Sequence, residues 1–146
     1  MHLHLGLNSK GLDLGKLQAH YTVMDQGLGS PCADRNMVAV SNPCRLDDTL
    51  TDKKDRIVVH AYSAGNEPYE NWAQFVGDEG KYNSIKYTEA KEEAVEFLYR
   101  STSKGLGISV EEIKSRAEVA LTGTPLTHKR YLSRHEGTYG LMMTYN

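Results

Sequence analysis

Apolar and polar positions alternate from the first residues, where Leu3, Leu5 and Leu7 fall between His2, His4 and Gly6. A period of two predicts a strand with the leucines on one face and the histidines on the other. Asn8-Ser9-Lys10-Gly11 is a turn signal, and Leu12, Leu14 and Leu17 form an apolar stretch of no clear period. His20 to Met24 reads as a second strand, Asp25 to Asp34 as a glycine- and proline-bearing loop, and Asn36 to Ser41 as a short buried strand ended by Asn42-Pro43. Arg45 to Asp55 is a polar connection. Arg56 to Tyr62 has three β-branched residues in a row, Ile57, Val58 and Val59, and predicts a strand.

The second half changes period. After a turn at Ser63 to Asn66, Pro68 opens a short helix that runs to about Phe75. Gly77 to Gly80 breaks the chain. Thr88 to Lys104 then predicts a longer helix, with Ala90, Ala94, Phe97, Leu98 and Ser101 on one face and Lys104-Gly105 as its stop. Glu89, Glu92, Glu93 and Glu96 lie elsewhere, mainly toward its amino end, where negative charge suits the helix dipole. Ser109-Val110-Glu111-Glu112 is a capping box for a short helix. Arg116 to Thr122 reads as a strand, and Thr124-Pro125 as the N-cap and first residue of a last helix. Strands clustered ahead of helices predict an α+β fold with a mixed, largely antiparallel β-sheet and two to three helices.

At 146 residues the chain is long enough for one domain with a core. Its net charge of −2 gives no basic excess for nucleic acid or an anionic membrane surface. Nine tyrosines against two phenylalanines and one tryptophan predict amphipathic surfaces, with the ring packed and the hydroxyl wet. Cys32 and Cys44 lie outside any CxxC and read as free thiols, with a disulfide or metal pair as the alternative. No apolar run approaches the ~18 residues of a membrane span, and no leader is visible. The alternation at Met1 to Leu7 reads as a start inside a fold.

Most candidate chemistry is outweighed by plainer readings. His2 and His4 have a spacing able to bind zinc, but the sequence places no third ligand, so no metal is assigned. The favoured reading is two partly exposed imidazoles opposite a leucine face. His60 reads as a hydrogen-bonded strand residue rather than an acid or base. Asp47, Asp48, Asp52 and Asp55 lack the glycine-and-glutamate spacing of a calcium loop. There is no phosphate loop, no GxGxxG after a strand and no Gly-x-Ser-x-Gly elbow, and no catalytic set is assigned. Only Gly123 to Gly140 is dense in polar groups: Thr127, His128, Lys129, Arg130, Arg134, His135 and Glu136 fall within ten residues. On a helix, Thr127, Arg130 and Arg134 share a side, beside a stripe of Leu126, Arg130 and Ser133. By residue type alone a solvated helix end is the favoured reading.

The order of residues there resembles the carotenoid isomerase branch of the FAD-dependent phytoene desaturase and amine oxidase superfamily. The match is Thr124-Pro125-Leu126-Thr127-His128, then Arg130-Tyr131-Leu132, Arg134, and Gly137-Thr138-Tyr139-Gly140. His60-Ala61-Tyr62, with Glu67-Pro68-Tyr69 and Trp72, is similar to a second pattern of that branch, and His4-Leu5-Gly6 and Ser41-Asn42-Pro43 fit the same order. The resemblance implies a partial substrate-binding domain, residues 1–146, whose mixed sheet and helices form a tunnel for a long polyene beside the flavin. It implies flavin contacts at Arg134, Gly137, Thr138, Tyr139 and Gly140, and substrate contacts at His128 and Arg130. It also implies a carotenoid-type substrate, a plastid or cyanobacterial setting at the membrane periphery, and the dinucleotide-binding half as partner. That half, with its glycine fingerprint, is not in this sequence, and Leu141 stands where the family has proline. The expectation is thus a flavoprotein portion inactive alone, whose parent isomerises a polyene. The alternatives are a desaturase, saturase or amine oxidase, or a non-catalytic apolar-ligand domain.

Overall fold

A computed structural model describes residues 1–25, 33, 35–51, 54–63, 69–77 and 84–137. Its five strands are β1 (His2–Asn8), β2 (His20–Met24), β3 (Met37–Ser41), β4 (Arg56–Tyr62) and β5 (Ala117–Gly123). They form one sheet in the order β2-β3-β4-β1-β5. Among the described residues every pairing is antiparallel, in line with the expected largely antiparallel sheet. Four α-helices are described: α1 (Tyr69–Ala73), α2 (Ser84–Leu106), α3 (Val110–Arg116) and α4 (Pro125–Leu132). The fold is α+β.

Register explains the two faces. Leu3 pairs with Ala61, Leu5 with Val59 and Leu7 with Ile57, so one face of β1 and β4 is wholly apolar. These six residues are buried, together with Val38 and Val40 of β3. The helices supply Phe97, Leu98, Ala94 and Ile113 to the same core. Burying such side chains stabilises by about 1.5–3 kcal/mol each, which is why the alternation reads so directly in the sequence.

The long helix α2 begins four residues before the expected Thr88 and passes its expected stop. It runs through Gly105 to Leu106, and Gly107 takes the left-handed φ of +70° that ends it. Gly105 serves packing instead. A Cβ there would lie 3.4 Å from Val23 Cγ2 and 3.5 Å from the Tyr21 ring, so the glycine lets α2 approach β2. Among the described residues no helix is long and apolar enough to cross a membrane.

The polar loops close locally. Asp47 accepts from the amide and hydroxyl of Thr49 at 2.9 and 2.6 Å, bonds that hold its carboxyl below the usual range. Cys44 is a free thiol whose Sγ accepts from the Val58 amide at 3.3 Å, while Cys32 lies outside the described residues.

Candidate functional site

The end of the sheet where His2 pairs with Gly123 gathers the chemically active side chains. Thr124, the first residue past β5, caps α4. Its hydroxyl accepts from the Thr127 amide at 3.2 Å, and Thr127 Oγ1 accepts from the Thr124 amide at 3.2 Å. The box is complete although its third helical position holds threonine rather than glutamate. Pro125 and Leu126 bury the start of α4.

Two contacts hold α4 in place. Tyr87 Oη of α2 lies 3.0 Å from Thr124 Oγ1. Lys129 Nζ donates to Tyr69 Oη of α1 at 2.7 Å and sits 4.8 Å over that ring. Beneath them Trp72 packs edge to face with Phe75 and Tyr87 at 6.1 and 6.0 Å, fixing α1 against α2.

Helix α4 stops at Leu132 because Ser133 turns left-handed, at φ +51°. Arg134 is therefore off the helix, and the expected helical face of Thr127, Arg130 and Arg134 does not form, nor does Ser133 continue a stripe with Leu126 and Arg130. The chain turns through His135–Gly137, where the Gly137 amide donates to Arg134 O at 3.1 Å. Gly137 is buried with φ +67°, and a Cβ there would lie 2.1 Å from Pro125 O. Glycine is obligatory on both counts. The turn at Gly137 is thereby pressed onto the start of α4.

The resemblance-derived residues divide accordingly. Gly137 and the half-buried Arg134 belong to this turn. Thr138, Tyr139 and Gly140 lie outside the described residues. Arg130 is exposed, its guanidinium 5.2 Å over the Tyr131 ring. His128 is half-buried and reaches back over the sheet, its ring 4.4 Å from that of His2 and its Nε2 3.4 Å from the point where a Gly123 Cβ would be.

That contact completes a cluster the sequence reading missed. His2 stacks on His4 at 5.4 Å, and His4 meets His60 edge to face at 4.7 Å. His4 and His60 are direct partners in the β1–β4 register. The available signal was parity. His2, His4 and His60 all lie opposite the apolar face of their strands, so pairing β1 with β4 makes them meet. His2 is buried, not partly exposed as expected.

Burial, then the amino-terminal ammonium and the neighbouring imidazoles, lowers the His2 pKa to about 3. Burial and then the charge of His4 lower that of His60. Burial, then the amino-terminal ammonium, Arg134 and His4, lower that of His128. His2 is thus neutral at pH 7 and too weak a base to take a proton there. Among the described residues no three of His, Cys, Asp or Glu are arranged to hold a metal ion. The cluster is an aromatic floor in which the buried His2 is neutral at pH 7. Large apolar side chains are exposed on the same elements: Leu121 at 62% on β5, and Tyr131 at 71% and Leu132 at 55% on α4.

No protein-family model matches the chain, and no curated protein or solved structure matches it.

Proposed function

We propose that this chain is the substrate-side portion of an FAD-dependent protein that isomerises a carotenoid-type polyene. The observation that carries the reading is convergence. The stretches that resemble the carotenoid isomerase branch lie far apart in sequence, yet their described residues meet at one end of the sheet. His4 touches His60, Tyr69 holds Lys129, and Trp72 packs on Tyr87, which reaches Thr124. The imidazole floor and the exposed Leu121, Tyr131 and Leu132 are surfaces that an apolar substrate or a covering domain would bury.

The described residues do not build a cradle for a dinucleotide. The tight turn at Gly137 is filled by Pro125 of the same chain. The cofactor would therefore be held mainly by the dinucleotide-binding half of the parent, with Arg134 as this chain's charged contact and Thr138, Tyr139 and Gly140 as the further contacts the resemblance implies. Reduced flavin, where bound, would supply the electron density that isomerising a conjugated chain without net redox change requires. The residues here orient the polyene through His128 and Arg130 and exclude water. A plastid or cyanobacterial setting at the membrane periphery accompanies this reading.

The test starts with the transcript around this reading frame, where a strand–GxGxxG–helix segment upstream is expected. In the flavin-bearing protein, Arg134→Ala is expected to lower flavin content or turnover at least tenfold. Product and substrate are expected to have equal mass, whereas a desaturase would remove two hydrogens. A transcript without a dinucleotide-binding segment, or Arg134→Ala with unchanged flavin content and kinetics, overturns the reading.

A further inference from the structure

The line of imidazoles does not end with the sheet. It runs from His60 of β4 through His4 and His2 of β1, and His128 of α4 continues it, the successive ring centroids lying 4.7, 5.4 and 4.4 Å apart. The last step joins the first strand to the last helix. Gly123 makes the seat for it. This glycine pairs with His2, and His128 Nε2 lies in the space above it, 3.4 Å from where a Cβ would stand.

Other charged and titratable groups face this junction from each element around it. β1 brings the Met1 ammonium and His4, and β4 brings His60 and Tyr62, whose ring lies 6.2 Å from that of His2. The turn after α4 brings Arg134, and β5 contributes Gly123. The closed junction favours neutral rings: burial first, and neighbouring positive charge second, lower both His2 and His128. Parting α4 from the sheet returns water to both rings, which then take up protons near their ordinary value of about 6.5. Because the closed values are the lowered ones, closure is fully favoured above that pH and loses ground as pH falls.

The covering segment is built to move. Helix α4 has eight residues, and Lys129 to Ser133 are exposed. Apart from its own turn it packs mainly on α1 and β5. Two non-glycine residues of the following turn, Ser133 and Glu136, hold left-handed φ of +51° and +50°, a conformation that costs energy and that opening relieves. Both ends are pinned, Leu126 in the core and Gly137 against Pro125. The stretch between them is a flap with fixed ends, and short elements of this kind open at low free energy.

We propose that α4 and the turn after it form an acid-opened flap: protons taken up by His2 and His128 part the flap from the sheet and uncover the imidazole floor while the core stays folded. This inference does not rest on the proposed function. Each proton gained on opening favours it about tenfold per pH unit, so His2 alone shifts the opening equilibrium on the order of 50- to 100-fold between about pH 7 and pH 4.5.

Amide hydrogen exchange of the full 146-residue chain is followed by NMR at about pH 7 and pH 4.5, with rates corrected for the pH dependence of exchange itself. The amides of Lys129, Arg130 and Tyr131 are expected to lose protection at least tenfold, while those of Leu5 and Val59 stay better protected at both pH values. In H2F/H128F, which keeps two rings at the junction and removes both protons, the loss is expected to stay under tenfold. The His2 and His128 ring signals of the wild type give a second reading that needs no variant to fold, and are expected to titrate together with the loss. A wild-type loss under tenfold overturns the proposal, as do α4 amides that exchange in step with Leu5 and Val59, the mark of whole-molecule unfolding. Rings that stay neutral through the loss, or a double variant that loses tenfold or more, overturn it as well.

Discussion

Gly137 shows how strictly a single position is set. Its φ of +67° and the 2.1 Å separation between a Cβ and Pro125 O leave room for hydrogen alone. Gly137→Ala must either push Pro125 aside or unfold the turn, and is expected to destabilise by about 2–4 kcal/mol, read from urea unfolding. His2 is the second such position. An imidazole with a folded pKa of about 3, against 6.5 unfolded, stays neutral in the fold and takes up a proton on unfolding. Its contribution is fully present above pH 6.5 and is lost as pH falls toward 3. At pH 4 the loss from His2 is roughly 3 kcal/mol, reinforced by His60 and His128, which shift in the same direction. Thermal midpoints measured from pH 7 to pH 4 are expected to fall more steeply for wild type than for His2→Phe. Equal slopes would remove His2 from the account.

At the scale of elements, the junction of β5 and α4 is held by Thr124. Thr124→Ala removes the cap and the contact with Tyr87, and is expected to cost about 1–2 kcal/mol, while Thr124→Ser keeps both and recovers most of it. Chemical denaturation of the three proteins checks this. The same junction was plain in the sequence, because Thr-Pro is a strong start signal and alternation up to Thr122 announced the strand. The end of α4 was not. Ser133 carries no glycine or asparagine mark for its left-handed turn, so Arg134 was expected on a helical face it does not join. Gly105 misled in the opposite sense. A glycine after a lysine reads as a helix stop, yet this one marks close packing on β2. A local signal cannot separate those roles, since the partner surface lies far away in sequence. The histidine cluster failed for the same reason. The parity of His2, His4 and His60 was visible, but their meeting depends on which strand neighbours which.

For the whole molecule, the described part of α2 packs on one face of the sheet, and the other carries imidazoles and aliphatic side chains, with His128 of α4 reaching over His2. That asymmetry follows from register. One row across the strands runs His20, Ser41, His60, His4 and Leu121, and the adjacent row on the other face runs Val40, Ala61, Leu3 and Thr122. Each side chain's fate is decided by its parity, and one residue of slip would turn the leucines out and the histidines in.

β1 sits between β4 and β5, with Leu3 opposite Ala61 on one side and Thr122 on the other. Its leucines find their first neighbours only when distant chain has arrived, and their second only when nearly all of it has. Folding here cannot proceed as a front travelling along the polypeptide. The most apolar strand must wait, sheltered or at risk, for the closing of two long loops, and the molecule becomes a single cooperative object only at that last event.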